Sequence, residues 1–257
     1  MASAEASLAN DCNIAYLRNP DESQSPICVY DSKEDTVISH SILTDGFWEK
    51  ANVQRVWMLM EDNASMEFLD LGCNIGVFTI PIAKLGRRVT SVDANKVNLQ
   101  MLSTSLRYGR LGDNVTLIWN GISNETSYVN LKQVDDNVGG TRIIKSSKGE
   151  PKDTENSIIT IKLDEIVNMF GDNPVFMKID IEGYEGLALK GAFSFFKEVD
   201  VRYILMEWMH HTNESGKYIL YYLYERSFRP HKVFDMTELQ IKDAFTNWPG
   251  DILWVKL

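Results

Sequence analysis

Four residues with unusual backbone and charge properties lie within the stretch "FLDLGCNIGVF", between two hydrophobic runs. They are Asp70, Gly72, Asn74 and Gly76. Glycine lets a backbone approach a bound nucleotide closely, and asparagine is among the few other residues that accept a left-handed conformation. The pattern therefore predicts a tight turn that contacts a small molecule.

The spacing and charge of this turn discriminate between nucleotide cofactors. Its Gly-x-x-x-Gly spacing differs from the Gly-x-Gly-x-x-Gly of folds that bind a dinucleotide pyrophosphate. Asp70 would place a carboxylate in the crevice, where it repels a pyrophosphate and attracts a cationic ligand. S-adenosylmethionine carries a sulfonium and an ammonium but no phosphate, so the charge favours it over NAD as the cofactor.

Two later residues extend this predicted nucleotide site. Asp93 follows Gly72 by 21 residues, close to the roughly 20 expected for a carboxylate that binds ribose hydroxyl groups. Asn120 ends the third predicted strand beside the expected adenine position, although an ordinary turn after a strand explains this asparagine equally well. The glycine turn and Asp93 together indicate an adenosyl cofactor.

A second group of polar residues is suited to removing a proton from an acceptor. "KIDIEGYEG" and "EWMHH" place carboxylates and imidazoles after two more predicted strands. The candidate catalytic residues are Asp180, Glu182, Glu207 and His210, with His211 as an alternative to His210. If the strand extends far enough, alternation points Asp180 and Glu182 to one side, and two neighbouring carboxylates raise one pKa towards that of a useful base.

Each of these residues also has a simpler interpretation. Glu182 and Glu185 can be acids that favour the start of a helix through its dipole, and one or both histidines can be solvated loop residues. The acids and an imidazole can hold a divalent ion, but their spacing matches no specific metal motif, so no metal is assigned.

The elements that must position these residues alternate between strand and helix from about residue 66. Strands are predicted at 66–71, 88–93, 114–119, 174–181, 201–208 and 250–257. Residues 157–170 are predicted to form a strand that runs into a short helix. Helices are predicted at 76–86, 96–109, 183–196 and 217–227, and a short strand pair at 128–132 and 141–145 with the turn "DDNVGG" between them. This alternation predicts an α/β fold with a mostly parallel sheet, helices on both faces and an antiparallel final strand.

The composition narrows the class of protein and its substrates. A chain of 257 residues, 44% of them hydrophobic, can bury one sizeable core. The net charge of -10, without a basic cluster denser than "GRR" at 86–88, disfavours a nucleic-acid substrate. No apolar run approaches the roughly 18 residues of a membrane span, and residues 1–11 lack the features of a secretory signal. Three cysteines give no metal or redox spacing, but Cys12 and Cys28 can pair in an oxidising compartment.

The motifs "DLGCNIGVF" and "MKIDIEGYEGLALKGA" together resemble the FkbM family of S-adenosylmethionine-dependent methyltransferases. The similarity covers about residues 35–230 and includes "GFWE", "LDEI" and "MEWMH". The resemblance implies a single-domain, seven-stranded Rossmann-like methyltransferase sheet over residues 35–257, preceded by an N-terminal extension over residues 1–34. It also implies methyl transfer to a hydroxyl oxygen of a sugar, glycolipid or polyketide.

The resemblance assigns roles to individual residues as well. Cofactor binding carries over to Asp70, Gly72, Gly76 and Asp93, and Glu49 of "GFWE" becomes a residue of the cofactor pocket. Asp93 is followed by Ala94, where the family more often has Glu and then Pro. Contact with the ribose survives this difference, but the loop that follows can differ.

We expect an O-methyltransferase whose acceptor is a hydroxyl group of a saccharide or glycan. N-methylation of a small amine is the alternative within methyl transfer, because an acidic rim also suits a cationic acceptor. A non-catalytic module on the same fold is a further interpretation, since a fold does not dictate activity. The glycine spacing and Asp70 disfavour a nicotinamide oxidoreductase.

Overall fold

A seven-stranded sheet forms the centre of the protein in the computed structural model, which describes residues 12–134, 137–144 and 157–257. In chain order the strands are β1 (Asn13–Arg18), β2 (Gln24–Val29), β3 (Glu67–Leu71), β4 (Val89–Asp93), β5 (Val115–Trp119), β6 (Gly121–Ile122), β7 (Ser127–Val134), β8 (Asn137–Ile144), β9 (Ser157–Ile161), β10 (Val175–Ile179), β11 (Val201–Glu207), β12 (Phe228–Lys232) and β13 (Asp251–Lys256). The central sheet has the order β12-β13-β11-β10-β3-β4-β5. Strand β13 is antiparallel to both neighbours, and the other paired strands are parallel, which confirms the predicted sheet.

Helices cover both faces of this sheet. They are α1 (Ile38–Asp45), α2 (Lys50–Glu61), α3 (Thr79–Lys84), α4 (Lys96–Gly109), α5 (Glu185–Lys190), α6 (Phe195–Glu198) and α7 (Glu214–Tyr224), with 3₁₀ turns at Gly112–Asn114, Leu163–Met169 and Ile241–Asp243. The side chains of Asn95 and Asn213 cap α4 and α7 by accepting a hydrogen bond from the backbone N–H two residues later. The helix predicted at 183–196 is divided into α5 and α6, and α3 is shorter than predicted.

Alternation along the central strands divides the core into two apolar clusters. Phe68 and Phe176 belong to one cluster, while the next residues, Leu69 and Met177, belong to the other. All five residues of β3, of β4 and of β10 are buried. Burial on both faces is the pattern of parallel strands that helices cover on either side.

A smaller sheet lies beside the central one and has the order β6-β9-β7-β8. Strands β7 and β8 are antiparallel, which confirms the strand pair predicted around "YVNLK" and "TRIIK". Of the turn predicted at 135–140, residues 135 and 136 lie outside the described residues, and the prediction is wrong for residues 137–140, which belong to β8. The strand predicted at the start of 157–170 belongs to this smaller sheet, and a 3₁₀ turn follows it in place of a helix.

The seventh strand of the central sheet is β12, which the sequence analysis missed. Its sequence "FRPHK" is mostly polar and contains Pro230. Proline has no N–H to donate within a sheet, so it is confined to edge strands and bulges, and β12 is the edge strand.

A two-stranded hairpin of β1 and β2 precedes the helices, and a disulfide joins Cys12 to Cys28. The hairpin is attached to α4, because the backbone N–H of Cys28 donates to Ser105 Oγ at 2.8 Å. Just after β2, the hydroxyl of Tyr30 donates to Asn98 Oδ1 at 2.6 Å. None of the helices in the described ranges combines the length and apolarity that a bilayer span requires.

The glycine turn after β3 has the left-handed backbone that its sequence predicts. The φ angles of Gly72, Asn74 and Gly76 are +80°, +49° and +100°. A Cβ on Gly72 would lie 1.8 Å from the backbone oxygen of Asp180, and one on Gly76 would lie 2.3 Å from Leu102 Cδ1. Glycine is therefore required here by close packing of protein against protein as well as by the turn.

We predict that Gly72→Ala lowers the free energy of unfolding by about 2 to 5 kcal/mol, because left-handed strain and overpacking against Asp180 add together. Gly86→Ala is the matched control: its φ of +78° is nearly the same, but its Cβ would meet nothing within 4 Å. The control should lose only about 1 kcal/mol. Equal losses in urea denaturation would contradict the packing argument.

Candidate functional site

A cavity of about 520 Å³ opens at the carboxyl ends of β3, β4, β5, β10 and β11. This size is typical of sites for small molecules, and this edge of an open α/β sheet is where such folds bind ligands. The predicted residues that line the cavity are Glu49, Gly72, Asn74, Asp93, Asn120, Asp180, Glu182, Glu207 and His210. Most of the predicted site is therefore assembled around one space.

Asp93 organises one end of the cavity from the end of β4. Its carboxylate accepts the backbone N–H groups of Asn74 at 2.8 Å and Asn95 at 2.7 Å. The side chain of Asn98 donates a weaker bond at 3.4 Å. Burial raises the pKa of Asp93 to about 6, although these hydrogen bonds act in the opposite direction. Asp93 thus fixes the glycine turn while its carboxylate lies at the cavity wall.

Asn120 lies at the same end of the cavity and connects the two sheets. Its side-chain amide donates to the carbonyl oxygen of Ile159 in β9 at 3.0 Å. The neighbouring Trp119 donates its indole N–H to the carbonyl oxygen of Ala94 at 3.0 Å, which holds the end of β5 against the loop after Asp93.

Two residues of the predicted cofactor site, Asp70 and Gly76, do not line the cavity. The expectation that the Asp70 carboxylate enters the crevice is wrong, because this side chain is fully buried in β3. It accepts a hydrogen bond from Thr79 Oγ1 at 2.7 Å. Burial raises the pKa of Asp70, while Lys178 and the bond from Thr79 lower it. Gly76 packs against Leu102 and supports the turn from behind.

Lys178 is a cavity residue that the sequence analysis missed. Its Nζ lies 3.0 Å from Asp180 Oδ2 and 4.9 Å from the centroid of the Phe78 ring. Burial alone would lower the pKa of Lys178, but Asp180, Asp70 and Glu49 raise it above its usual range. A lysine within an otherwise apolar strand is a signal that could have found it, because buried lysines are almost always paired.

Glu49 and Asp251 also line the cavity, and the charge of Lys178 acts on both. Both accept hydrogen bonds from the Asn52 amide, at 2.8 Å and 2.9 Å. Burial raises the pKa of each carboxyl group, and the positive charge of Lys178 opposes this. Asp251 was also missed, because β13 brings it to the site from almost 200 residues further along the chain than Asn52.

The other end of the cavity is acidic and contains an imidazole. His210 Nε2 lies 3.7 Å from Glu182 Oε2 and 3.6 Å from Glu207 Oε2. The Oε2 atom of Glu207 is buried and has no hydrogen-bond partner among the described residues. Burial and the carboxylates of Asp180, Glu185 and Glu182 raise the pKa of Glu207 to about 8.

The strand that precedes this acidic end is shorter than predicted. Strand β10 ends at Ile179, so strand alternation does not orient Asp180 and Glu182. Instead, Glu182 and Gly183 have φ angles of +56° and +95°, and this left-handed turn carries Glu182 to the cavity. A non-glycine residue in this conformation is uncommon and is held by its surroundings.

Glu185 and His211 hold that turn from inside the protein. His211 Nε2 lies 2.8 Å from Glu185 Oε2, and both side chains are completely buried. The other oxygen of Glu185 accepts the backbone N–H groups of Ile181 at 2.9 Å and Gly183 at 3.3 Å. His211 is therefore not a base at the cavity, and the simpler interpretation of Glu185 as a structural acid fits these contacts.

Comparison with known proteins identifies a family match over most of the chain. Residues 70–230 match the methyltransferase FkbM domain. Among curated proteins, none matches the chain.

Several solved structures are similar to this chain at low sequence identity. A putative rRNA methylase from Clostridium thermocellum is 11% identical with a TM-score of 0.47, over 79% of this chain and 93% of that one. A putative caffeoyl-CoA O-methyltransferase from Staphylococcus aureus is 9% identical with a TM-score of 0.47, over 82% and 85%. Magnesium protoporphyrin IX methyltransferase from Synechocystis PCC 6803, crystallised with bound SAM, is 11% identical with a TM-score of 0.43, over 81% and 79%.

We predict that alanine substitutions of the two adjacent histidines destabilise the protein to very different extents. His211→Ala should lower the free energy of unfolding by about 3 to 5 kcal/mol, because it leaves the buried Glu185 without its partner. His210→Ala, at the half-buried cavity edge, should cost less than about 1 kcal/mol. Chemical denaturation of the two variants measures this difference, and a stable His211→Ala protein would show that the buried pair is dispensable.

Proposed function

Because this chain belongs to the FkbM methyltransferase family, we propose that it transfers the methyl group of S-adenosylmethionine to a hydroxyl oxygen of a saccharide or glycan. The observation that carries this proposal is the placement of different polar side chains at the two ends of one cavity. One end has the ionisable Asp93 carboxylate, and the other end has the Glu207 and His210 side chains. One molecule with a ribose and a second with hydroxyl groups can meet between them.

The described residues fit an adenosyl cofactor. Asp93 would accept hydrogen bonds from the ribose hydroxyl groups, and Asn120 would lie beside the base. Between these residues and the acidic end, the wall includes the backbone at Gly72, the carboxylates of Glu49, Asp180 and Asp251, and the cation of Lys178. Carboxylates favour a ligand with a sulfonium and an ammonium over one with a pyrophosphate.

The acidic end supports the transfer of a methyl group to oxygen. When bound, S-adenosylmethionine supplies an electrophilic methyl group: a carbon–oxygen bond forms as the carbon–sulfur bond breaks, and the hydroxyl proton must leave. Glu182, Glu207 and His210 lie where they can hold the acceptor hydroxyl in line and take up that proton, with Asp180 nearby.

The same end supports a neutral acceptor that is rich in hydroxyl groups. Carboxylates and imidazole accept the hydrogen bonds that sugar hydroxyls donate. The net charge of -10 disfavours nucleic acids and other polyanions. The surplus of carboxylates at the cavity also suits a cationic amine, so N-methylation is the second candidate.

We predict that Asp93→Ala weakens the binding of S-adenosylmethionine by about 1 to 3 kcal/mol through the loss of hydrogen bonds to the ribose. Calorimetry with the folded variant measures this loss, and NAD should not bind to the wild-type protein. Asp113→Ala is the control, because it removes an exposed carboxylate that does not line the cavity. This variant should bind S-adenosylmethionine as the wild type does. Wild-type affinity in folded Asp93→Ala would refute the ribose assignment.

A labelling experiment tests the acceptor. The protein is incubated with methyl-labelled S-adenosylmethionine and separate panels of glycans, polyketides, amines, peptides and RNA, and mass spectrometry locates the label. We expect the label on one hydroxyl oxygen of one sugar, with Asp93→Ala as the variant in which labelling falls. Label on nitrogen would support the amine alternative, and label on RNA would end the saccharide proposal.

A further inference from the structure

Three side chains at the acidic end of the cavity are arranged as ligands around a common point. Glu182, Glu207 and His210 each offer one ligand atom, and these atoms lie within 4.8 Å of one another. The imidazole nitrogen is 3.7 Å and 3.6 Å from the two carboxylate oxygens, which is too long for direct hydrogen bonds. We propose that Glu182, Glu207 and His210 bind one divalent cation of the Mn²⁺ type.

An unsatisfied atom points to a ligand at this position independently of the spacing. Glu207 Oε2 is buried, yet no hydrogen-bond donor in the described part of the chain reaches it. Buried polar atoms are nearly always satisfied, so an orphaned carboxylate oxygen in a native site indicates a missing ion or water. The carboxylates of Glu182 and Glu207 both approach the same imidazole nitrogen, so two acidic groups converge at this point.

The nearby lysine does not compensate this charge. Lys178 Nζ is directed to Asp180 Oδ2 at 3.0 Å. In the described part of the chain, the ion pair of Glu207 is with His210 at 3.6 Å and not with a lysine or an arginine. A bound divalent cation would supply the positive charge beside Glu207 that the described side chains do not provide.

The surrounding contacts hold the three ligands in place before any metal arrives. Glu182 lies in the turn that Glu185 holds through the N–H groups of Ile181 and Gly183. Glu207 is the last residue of β11 and is paired with β13. The backbone oxygen of His210 accepts a hydrogen bond from Asn213 at 3.1 Å. Metal sites depend on such supporting contacts for their affinity.

The chemistry of the ligands indicates the class of metal. Carboxylate oxygens suit Mg²⁺, Ca²⁺ and Mn²⁺, whereas imidazole suits the later transition metals, so a set of two oxygens and one nitrogen favours Mn²⁺. Three protein ligands leave further coordination positions open to water or to hydroxyl oxygens. That a sugar diol occupies those positions rests on the proposed function; the metal site itself does not.

A binding experiment without cofactor or acceptor tests the site. The full chain is treated with a chelator, desalted and titrated with MnCl₂, and electron paramagnetic resonance measures the free Mn²⁺. We expect one equivalent to bind, and Glu182→Gln, Glu207→Gln and His210→Gln each to weaken binding at least about 10-fold, as loss of even a supporting contact typically does. Mg²⁺ should compete more weakly because it does not favour imidazole.

Glu214→Gln is the control, because it removes an exposed carboxylate that does not line the cavity. It should retain Mn²⁺ affinity within about threefold, a change of roughly 0.6 kcal/mol that loss of a solvent-exposed charge can cause. Circular dichroism shows that each variant is folded. Absence of wild-type binding up to about 1 mM, the weak limit of protein sites for divalent cations, would overturn the proposal. Wild-type Mn²⁺ affinity in all three ligand variants would overturn it as well.

The metal site and the proposed methyl transfer are tested by independent experiments. Mn²⁺ binding is measured without any methyl acceptor, so a failed labelling experiment does not affect it. Conversely, methyl transfer to a sugar by a protein that binds no metal would leave the proposed function intact and remove the metal site.

Discussion

The ion pair between the buried Lys178 and the partly exposed Asp180 is the interaction on which the functional edge of this protein depends. Lys178 lies within a strand whose five residues are all buried, and its charge also acts on Asp70 and Glu49. Each of these carboxylates would be costly to bury alone, because removing one partner of a buried pair leaves an uncompensated charge. One cation thus permits several acids to converge behind and around the cavity.

This charge arrangement requires that two strands approach closely in a fixed register. Asp70 of β3 lies opposite Lys178 of β10, and just beyond them Gly72 packs against the backbone of Asp180. A side chain at Gly72 would clash with the backbone of Asp180 and force one of the two strand ends to shift. Backbone packing and electrostatics at this site therefore depend on the same few atoms.

The parts of the site that sequence analysis predicted are those with local signals. Asn74 and Asp93 mark a turn and a strand end, and the structure brings them into direct contact. Other features are set by burial and by pairing between distant parts of the chain, which the neighbouring residues in the sequence do not reveal. Adjacent His210 and His211 have opposite environments, one at the cavity and one in the core, and Asp251 reaches the site only because β13 inserts between β11 and β12. The fold class was predictable because buried parallel strands produce long apolar runs, whereas the polar edge strand with Pro230 gave no such pattern.

The N-terminal hairpin shows that the unit of folding extends beyond the unit of sequence similarity. The family match begins at residue 70, yet Leu17 and Ile27 belong to the same apolar cluster as Phe68. Tyr30 donates to Asn98, whose amide in turn donates to Asp93, so the hairpin is connected to the cavity through two side chains. A recombinant fragment that begins at residue 70 would lose the first three residues of β3 as well as the hairpin, and it would expose apolar surface that promotes aggregation. In this protein, the boundary of the family match is therefore not a boundary of the folding unit.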